Sequence, residues 1–314
     1  MSEQKTRAGF AAVIGAPNAG KSTLVNRLVG SKVSIVTPKV QTTRFNVRGV
    51  VMEGRAQIVL VDTPGIFKPR RRLDRSMVRA AWNGAQDADV VMHLVDAAAE
   101  VAMSSGKGGG AERKAVEDRE NITRALKADG RQAILALNKI DMVRRDTLLA
   151  VVQALFDSGV YSEVFMISAE TGSGVGDMKQ HLAGLMAEGP WLYPEDQTAD
   201  VPMRVLAAEV TREKLYLRLH QEVPYGAAVE TTSYAEDGKG GMRIEQTIFV
   251  EREGQRPIVL GNKGHTLKWI GQHSREELTK LLERPVHLFL HVKVDARWSE
   301  RRELYTGMGL EFDA

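Results

Sequence analysis

The residues with the most specific chemistry form a run near the start of the chain. The run consists of Gly15, Ala16, Pro17, Asn18, Ala19, Gly20, Lys21, Ser22 and Thr23. Its spacing matches the pattern G-x-x-x-x-G-K-[ST], in which backbone N–H groups and a helix N-terminus point at phosphate oxygens. Gly15 and Gly20 let the backbone approach an anion closely because they carry no side chain. Lys21 would span the β- and γ-phosphates of a nucleotide, and the Ser22 hydroxyl would ligate Mg²⁺.

The alternative for this run is a glycine-bearing turn before a surface helix. An apolar stretch at residues 10–14 precedes the run, and Leu24, Val25 and Leu28 follow it at helical spacing. A strand, a tight loop and an amphipathic helix in succession favour the phosphate loop.

Two further stretches could complete a magnesium site. The first contains Gln41, Thr42, Thr43 and Arg44. A GTPase-type switch needs a threonine hydroxyl that completes the Mg²⁺ shell only while a γ-phosphate is present. One of Thr42 and Thr43 would supply that hydroxyl, and Thr43 is favoured.

The second stretch, Asp62, Thr63, Pro64 and Gly65, ends an apolar run at residues 56–61. Taken alone, this tetrapeptide is more often a simple turn. Following a phosphate loop, Asp62 suits a Mg²⁺ ligand and the Gly65 N–H suits the γ-phosphate. The predicted metal ligands are therefore Ser22, Thr43 and Asp62.

The stretch Asn138, Lys139, Ile140 and Asp141 predicts which base is bound. The Asp141 carboxylate can accept hydrogen bonds from N1 and the exocyclic amino group of guanine, whereas adenine offers neither donor. Asn138 would tie the base edge to the phosphate loop, and the stem of Lys139 would cover the ring. The backbone of Ser168 and Ala169, after another apolar run, would meet the guanine carbonyl. The sequence therefore predicts GTP or GDP with Mg²⁺ rather than ATP.

The residues after Gly65 bear on hydrolysis. Ras-like GTPases place a glutamine near this point to orient the attacking water, but here Ile66 and Phe67 follow, and neither side chain can hydrogen-bond water. We therefore expect slow intrinsic hydrolysis. The basic residues at 68–72 fit a mobile switch and a solvated charge run equally well.

A different motif lies in the second half of the chain, where Gly261, Asn262, Lys263 and Gly264 form a G-x-x-G turn. KH domains use such a turn between two short helices to clamp the backbone of single-stranded RNA. Alone, it would more often be a helix C-cap. We expect Ile258, Leu260, Leu267 and Ile270 to line a groove for bases, with Lys263, Lys268 and Arg256 nearby as positive charges.

The elements that must position these residues fall into two patterns. In the first half, strands are predicted at 46–52, 56–61, 90–96, 133–137 and 164–167, with helices at about 112–128 and 176–188 and a flexible, disordered insertion at 104–110. The second half has the order α–β–β–α–α–β, with its first helix at about 203–219, another at 265–282 and a last strand at 286–294. This predicts a Ras-like P-loop GTPase domain with a mixed, mostly parallel sheet at 1–189, a linker at 190–202, and a smaller α+β type II KH domain with a C-terminal tail at 203–314.

Composition limits the remaining possibilities. The 314 residues are 43% hydrophobic and 26% charged, which is typical of globular domains. There is no cysteine, which excludes disulfides and cysteine-based zinc sites and favours a cytoplasmic protein. We expect neither a secretion signal nor a membrane span. The net charge of +3 alone says little about nucleic acid.

Together, the phosphate loop, Gln41 to Arg44, Asp62 to Gly65, Asn138 to Asp141 and the G-x-x-G turn closely resemble the Era family of Ras-like GTPases. The resemblance covers almost the whole chain. It implies binding to the 3′ end of 16S ribosomal RNA through the KH domain, a role in maturation of the small ribosomal subunit, and a peripheral fraction at the inner face of the plasma membrane. We also expect a monomer.

In related GTPases without the glutamine, the asparagine matching Asn18 helps to hold a K⁺ ion beside the phosphates. The resemblance therefore implies K⁺ as an activating ion and a catalytic set of Lys21, Asn18, Thr43 and Gly65. Two alternatives stay open, a membrane-associated signalling GTPase without an RNA role and an RNA-binding module with a vestigial nucleotide site.

Overall fold

The computed structural model describes residues 5–219 and 223–314, and the chain forms two units. The first unit extends to Asp200, and the second begins at Val201. Among the described residues, no helix combines the length and the apolar character that crossing a bilayer requires.

The first unit is a sheet with helices on both faces. Its strands are β1 (Arg7–Gly15), β2 (Val47–Glu53), β3 (Ala56–Asp62), β4 (Val90–Asp96), β5 (Ala133–Asn138), β6 (Tyr161–Met166), β7 (Ala187–Glu188) and β8 (Ala199–Asp200). Its helices are α1 (Lys21–Val29), α2 (Arg72–Gln86), α3 (Ala97–Ser104), α4 (Gly110–Ala128), α5 (Arg145–Phe156) and α6 (Val175–Leu185). This arrangement confirms the predicted α/β class.

The strand order brings the predicted site residues to one edge. The order is β6-β5-β4-β1-β3-β2-β8, and the pairs from β6 to β3 are parallel, whereas β2 is antiparallel to β3. Gly15, Asp62, Asp96 and Asn138 are the last residues of β1, β3, β4 and β5. In an open parallel sheet, ligands bind at this carboxyl edge.

Two hydrophobic cores hold the sheet between its helices. Successive residues of β1 alternate between them, since Val13 packs with Leu24 of α1 and Ile14 packs with Ile122 of α4. The central strands are buried on both faces and therefore consist of continuous apolar runs. This scaffold holds the loops at its carboxyl edge.

The second unit has the predicted order of elements. They are α7 (Met203–Arg218), β9 (Ala227–Glu236), β10 (Met242–Val250), α8 (Arg256–Leu260), α9 (His265–Leu282), β11 (Val286–Val294) and the terminal helix α10 (Arg302–Gly307). β10 pairs with β11 in parallel and with β9 antiparallel, and one sheet face packs on α7 and α9. The α–β–β–α–α–β order and the bounds of α9 and β11 are as predicted.

The prediction of a flexible, disordered insertion at 104–110 is wrong. Ser104 ends α3 and Gly110 begins α4, and neither α3 nor α2 was predicted. The connection between the two helices is closed by hydrogen bonds, including one from the Lys107 N–H to the Ala102 carbonyl and one from the Gly109 N–H to the Glu112 carboxylate. Glycines here end one helix and begin the next.

The segment predicted as a linker, 190–202, differs from expectation as well. Gln57 of β3 is completely buried, accepts hydrogen bonds from the Leu192 and Tyr193 N–H groups and donates to the Tyr193 carbonyl. Beyond them, β8 pairs with β2. The helix predicted at 176–188 stops at Leu185, and β7 then pairs with β1. Most of this segment therefore belongs to the first unit.

Candidate functional site

The phosphate loop has a backbone that only glycine tolerates at two positions. Gly15 and Gly20 have φ values of 155° and 99°, and a Cβ on either would lie 2.4 Å from another atom, the Leu94 carbonyl oxygen or the Asn138 amide nitrogen. Helix α1 begins at Lys21, directly after Gly20. The loop therefore directs a helix N-terminus and its N–H groups to one point, as an anion site requires.

Lys21 is buried across this loop. Its Nζ donates to the carbonyls of Gly15 and Ala16, at 3.1 and 2.9 Å. Burial lowers the pKa of Lys21 to about 8, and the charge of Asp62 opposes that shift. The ammonium thus lies in a desolvated position where an additional anion would stabilise its charged form.

Ser22, Thr43 and Asp62 meet beside Lys21. The Ser22 hydroxyl lies 2.8 Å from the Thr43 hydroxyl and donates to Asp62 Oδ2 at 2.7 Å. Thr42 instead bonds Thr37 and the Lys39 carbonyl. The structure thus brings the favoured threonine, Thr43, to the other two predicted metal ligands.

Asp62 is completely buried, and this burial raises its pKa, whereas the hydroxyls of Ser22, Ser34 and Thr43 and the charge of Lys21 lower it. Although these hydroxyls lie close, Asp62 Oδ1 makes no hydrogen bond of standard geometry to any described residue. A buried carboxylate oxygen beside two hydroxyls is a set of hard oxygen donors that suits Mg²⁺. The residues present therefore fit the predicted ion.

The residues after Asp62 pack against the phosphate loop. Thr63 is buried and donates to the Val13 carbonyl at 2.8 Å, and the Ile66 N–H donates to the Gly15 carbonyl at 3.1 Å. A Cβ on Gly65 would lie 2.9 Å from the Pro17 ring. Thr63 thus anchors the strand end, and Gly65 permits the close approach.

Asn18, at the tip of the phosphate loop, faces a neighbouring turn. It has a left-handed backbone with a φ of 61°, and its side-chain amide donates to the Pro38 carbonyl at 3.2 Å. The turn at 37–42 therefore contacts the phosphate loop through this exposed side chain.

Asn138 connects the predicted base site to the phosphate loop, as expected. Its amide nitrogen donates to the Ala19 carbonyl, and its amide oxygen accepts from the Ala169 N–H, both at 2.8 Å. We expected the backbone of Ser168 and Ala169 to meet the guanine carbonyl, and in this structure one group of that backbone, the Ala169 N–H, is bonded to Asn138. Ser168 is buried, and its hydroxyl accepts from the Thr171 N–H.

Lys139 and Asp141 follow Asn138 in a strained turn. Lys139 has a φ of 66°, and its ammonium lies 2.5 Å from Asp96 Oδ2, a partner that the motif did not predict. The sequence signal for Asp96 is its place at the end of a predicted strand, and only the structure shows that it lies directly beside Asn138 in register. Asp141 is exposed in the short 3₁₀ turn Ile140–Met142, where its carboxylate is accessible to a base.

Arg27 is a further residue that the motifs missed. From the last turn of α1, its guanidinium donates to the Ala169 carbonyl at 3.1 Å and also to the Glu170 carbonyl. It thereby braces the loop after β6 against the helix that follows the phosphate loop. Nothing in the sequence pairs Arg27 with residues so far along the chain.

The G-x-x-G turn of the second unit is exposed between α8 and α9. Gly261 has a φ of 74°, and a Cβ there would lie 2.8 Å from the Thr266 nitrogen, whereas Gly264, with a φ of 77°, faces open space. Asn262, Lys263 and Lys268 are exposed. Arg256 is exposed as well, so all three predicted cations are accessible in or beside the turn.

The groove beside this turn differs from expectation at one residue. Ile258 is 49% exposed and Leu267 is half-buried, so both can meet a base. Ile270, which we expected to line the groove, is completely buried in the core with Val259. The spacing of apolar residues in α9 places Ile270 on the apolar side of the helix. It does not show whether that side packs into the core or lines a groove.

Family models match both units. Residues 10–139 match the model described as "50S ribosome-binding GTPase", and residues 222–299 match the model described as "KH domain". GTPase Era of Caulobacter vibrioides is 66% identical over 309 residues, which cover 98% of each chain.

Two solved structures are similar to nearly the whole chain. In each case the sequence identity is 36%, and the match covers 97% of this chain and 99% of the other chain. One is an Era variant from Aquifex aeolicus bound to GDP and AlF4⁻, with a TM-score of 0.86. The other is Era with MgGDPNP and nucleotides 1506–1542 of 16S ribosomal RNA, with a TM-score of 0.87.

Because this identity extends over both units and nearly the whole of each chain, the chain belongs to the Era family, a GTPase followed by a KH domain.

Proposed function

We propose that this GTPase binds the 3′ end of 16S ribosomal RNA through its KH domain and assists assembly and maturation of the small ribosomal subunit. The observation that carries the proposal is the exposed G-x-x-G turn with Lys263, in the same chain as the guanine-nucleotide site. The Era structure that contains 16S ribosomal RNA supports the choice of RNA.

In the nucleotide site, we assign Ser22, Thr43 and Asp62 to Mg²⁺, which neutralises charge on the β- and γ-phosphates when bound. Lys21 binds the same oxygens, and the N–H groups of the phosphate loop and of Gly65 orient the γ-phosphate. Thr43 senses that phosphate because its hydroxyl reaches the site from a segment without regular structure. Hydrolysis would release Thr43 and Gly65 together.

The two residues after Gly65 offer no side chain that could orient the attacking water. Ile66 is buried and Phe67 is half-buried, and neither offers a hydrogen-bonding group. We assign Asn18, which faces the Pro38 carbonyl, to a K⁺ ion whose charge would stabilise the transition state.

Replacing Na⁺ by K⁺ at constant ionic strength should raise the rate of GTP hydrolysis by about tenfold or more, since one added positive charge beside the phosphates is worth that much. The Asn18→Gly variant keeps the left-handed backbone and should lose the stimulation while keeping its rate in Na⁺. Equal rates of the parent chain in the two salts would contradict the K⁺ assignment.

The pKa of Lys21 makes nucleotide binding depend on pH. The pKa is about 8 in the free chain, and bound phosphates would raise it, so binding takes up a proton at high pH. Affinity for GDP should stay constant well below pH 8 and fall about sevenfold from pH 7 to pH 8.8. Titrations with a fluorescent GDP measure this fall, and guanosine, which lacks phosphates, should not show it.

Asp141→Asn should lower GTP affinity by about 10²-fold, because the carboxylate that accepts from guanine becomes an amide that also donates. Xanthosine triphosphate, which has a carbonyl in place of the amino group, should bind the variant better than GTP does. Asp146→Asn is the matched control on a nearby exposed aspartate. Unchanged GTP affinity of the Asp141 variant would contradict the base assignment.

Lys263→Asp should lower affinity for a 16S ribosomal RNA fragment about tenfold and reduce its salt dependence, since a phosphate contact becomes a repulsion. Aspartate tolerates the left-handed backbone of this position, where φ is 51°. Glycine substitutions are less informative, because a side chain at Gly261 would collide with Thr266.

Lys239→Asp, on an exposed loop of the same unit, makes the same charge change away from the turn and should leave RNA affinity within about twofold. If the two variants bind the fragment equally well, the RNA proposal fails at this turn, and a signalling GTPase without an RNA role becomes the better account.

A further inference from the structure

One buried carboxylate joins the two segments that border the proposed γ-phosphate position. Asp74, in the first turn of α2, is 6% exposed. Its Oδ1 accepts from the Gln41 side-chain amide at 3.1 Å, and its Oδ2 accepts from the Arg70 and Arg71 N–H groups at 3.0 Å each. None of the motifs contains Asp74.

The first of these segments carries Thr43. Gln41 lies two residues before Thr43 and has a left-handed backbone with a φ of 58°. The turn before it is closed by the bond between Thr37 and Thr42 and contacts the phosphate loop through Asn18. A displacement of Gln41 would therefore move the backbone that presents Thr43.

The second segment begins at Gly65. Residues 63–70 have no regular secondary structure, and α2 begins at Arg72. By accepting the Arg70 and Arg71 N–H groups, Asp74 determines where this segment joins the helix. The N–H of Arg71, at the N-cap of α2, is one that a helix start otherwise leaves unsatisfied, and the N–H of Arg70 lies just before it.

An ionised carboxylate only accepts hydrogen bonds, so the Gln41 atom that faces it is the amide nitrogen. Hydrogen bonds to a charged acceptor are strong, and an unpaired polar group in a buried position is costly. Withdrawal of either segment would leave Asp74 short of a partner. Because one carboxylate accepts hydrogen bonds from both segments, a change in either segment alters the bonding that holds the other.

We propose that Asp74 is a positioning residue that couples the two segments, so that the loss of the γ-phosphate at Thr43 is transmitted through Gln41 to the segment after Gly65. The coupling rests on the proposed placement of the γ-phosphate between these segments and is independent of the RNA contact.

The test changes one segment and measures the other. The chain has no cysteine, so Lys68→Cys, on an exposed residue of the second segment, gives a single site for an environment-sensitive fluorophore. The signal of the full-length labelled chain is compared between saturating GDP and a saturating non-hydrolysable GTP analogue, both with Mg²⁺. Binding of each nucleotide is measured separately.

Gln41→Glu places a second carboxylate against Asp74 and should reduce the fluorescence change at residue 68 at least fivefold, although both nucleotides still saturate the site. Adding Asp74→Asn to Gln41→Glu exchanges the amide and the carboxylate, and this double variant should recover at least half of the parent change. Such a rescue reports the pair itself and not general damage to the fold.

Gln41→Gly removes the side chain at a backbone conformation that glycine favours, and it should lose the change as Gln41→Glu does. Gln86→Glu, exposed at the far end of α2, is the matched control and should behave as the parent chain. A full response in both Gln41 variants, no rescue in the double variant, or no response in the parent chain would each overturn the coupling. Failure of the parent chain to bind the analogue would instead refute the nucleotide site itself.

Discussion

The nucleotide site depends on one buried carboxylate, that of Asp62, at the end of β3. Burial alone would favour its neutral form, and neighbouring hydroxyls together with Lys21 oppose that tendency. Ser22 belongs to the helix after the phosphate loop, whereas Thr43 belongs to a segment without regular structure. Asp62 accepts a hydrogen bond from Ser22 at the point where the Ser22 and Thr43 hydroxyls meet, so the carboxylate lies at the junction of these two parts of the chain.

The site combines rigid and irregular parts in a way that suits a switch. The base side is built from strand ends, with Asn138 bonded to Ala19 and Ala169 and with Arg27 bracing the same loop. The proposed γ-phosphate side consists of segments around Thr43 and Gly65 that belong to no helix or strand. Moving elements are drawn from segments with an irregular backbone more often than from regular helices and strands. Recognition of guanine can thus persist while the other side rearranges.

The KH unit follows a similar division of roles. Its core, between one sheet face and the helices α7 and α9, resembles that of any small α+β domain, and the chemistry lies in the turn between α8 and α9. Gly261 is required there by a close approach to Thr266, whereas Gly264 is favoured by its backbone conformation alone. Lys263, between them, also has a left-handed backbone, with a φ of 51°, and its exposed side chain can supply charge.

Motif residues could be placed from the amino-acid order because their positions depend on local backbone, namely a strand end followed by a tight loop. Ser22, Asp62 and Asn138 could therefore be located, and Thr43 preferred to Thr42, before any coordinates. Long periodic elements such as α9 could be bounded for the same reason. The two-residue strands β7 and β8 have too little periodicity to be recognised, so residues 187–188 were expected to continue a helix and residues 190–202 to form a linker.

Pairings between distant residues were accessible only from the folded chain. Arg27 with Ala169, Gln41 with Asp74 and Gln57 with Tyr193 each join elements whose contact follows from strand order and helix packing. A polar residue shows that it needs a partner but not which one, because the partner is chosen by the geometry of the whole sheet. Ile270 illustrates the same limit for apolar residues, since its burial in the core, rather than in a groove, depends on how α9 packs.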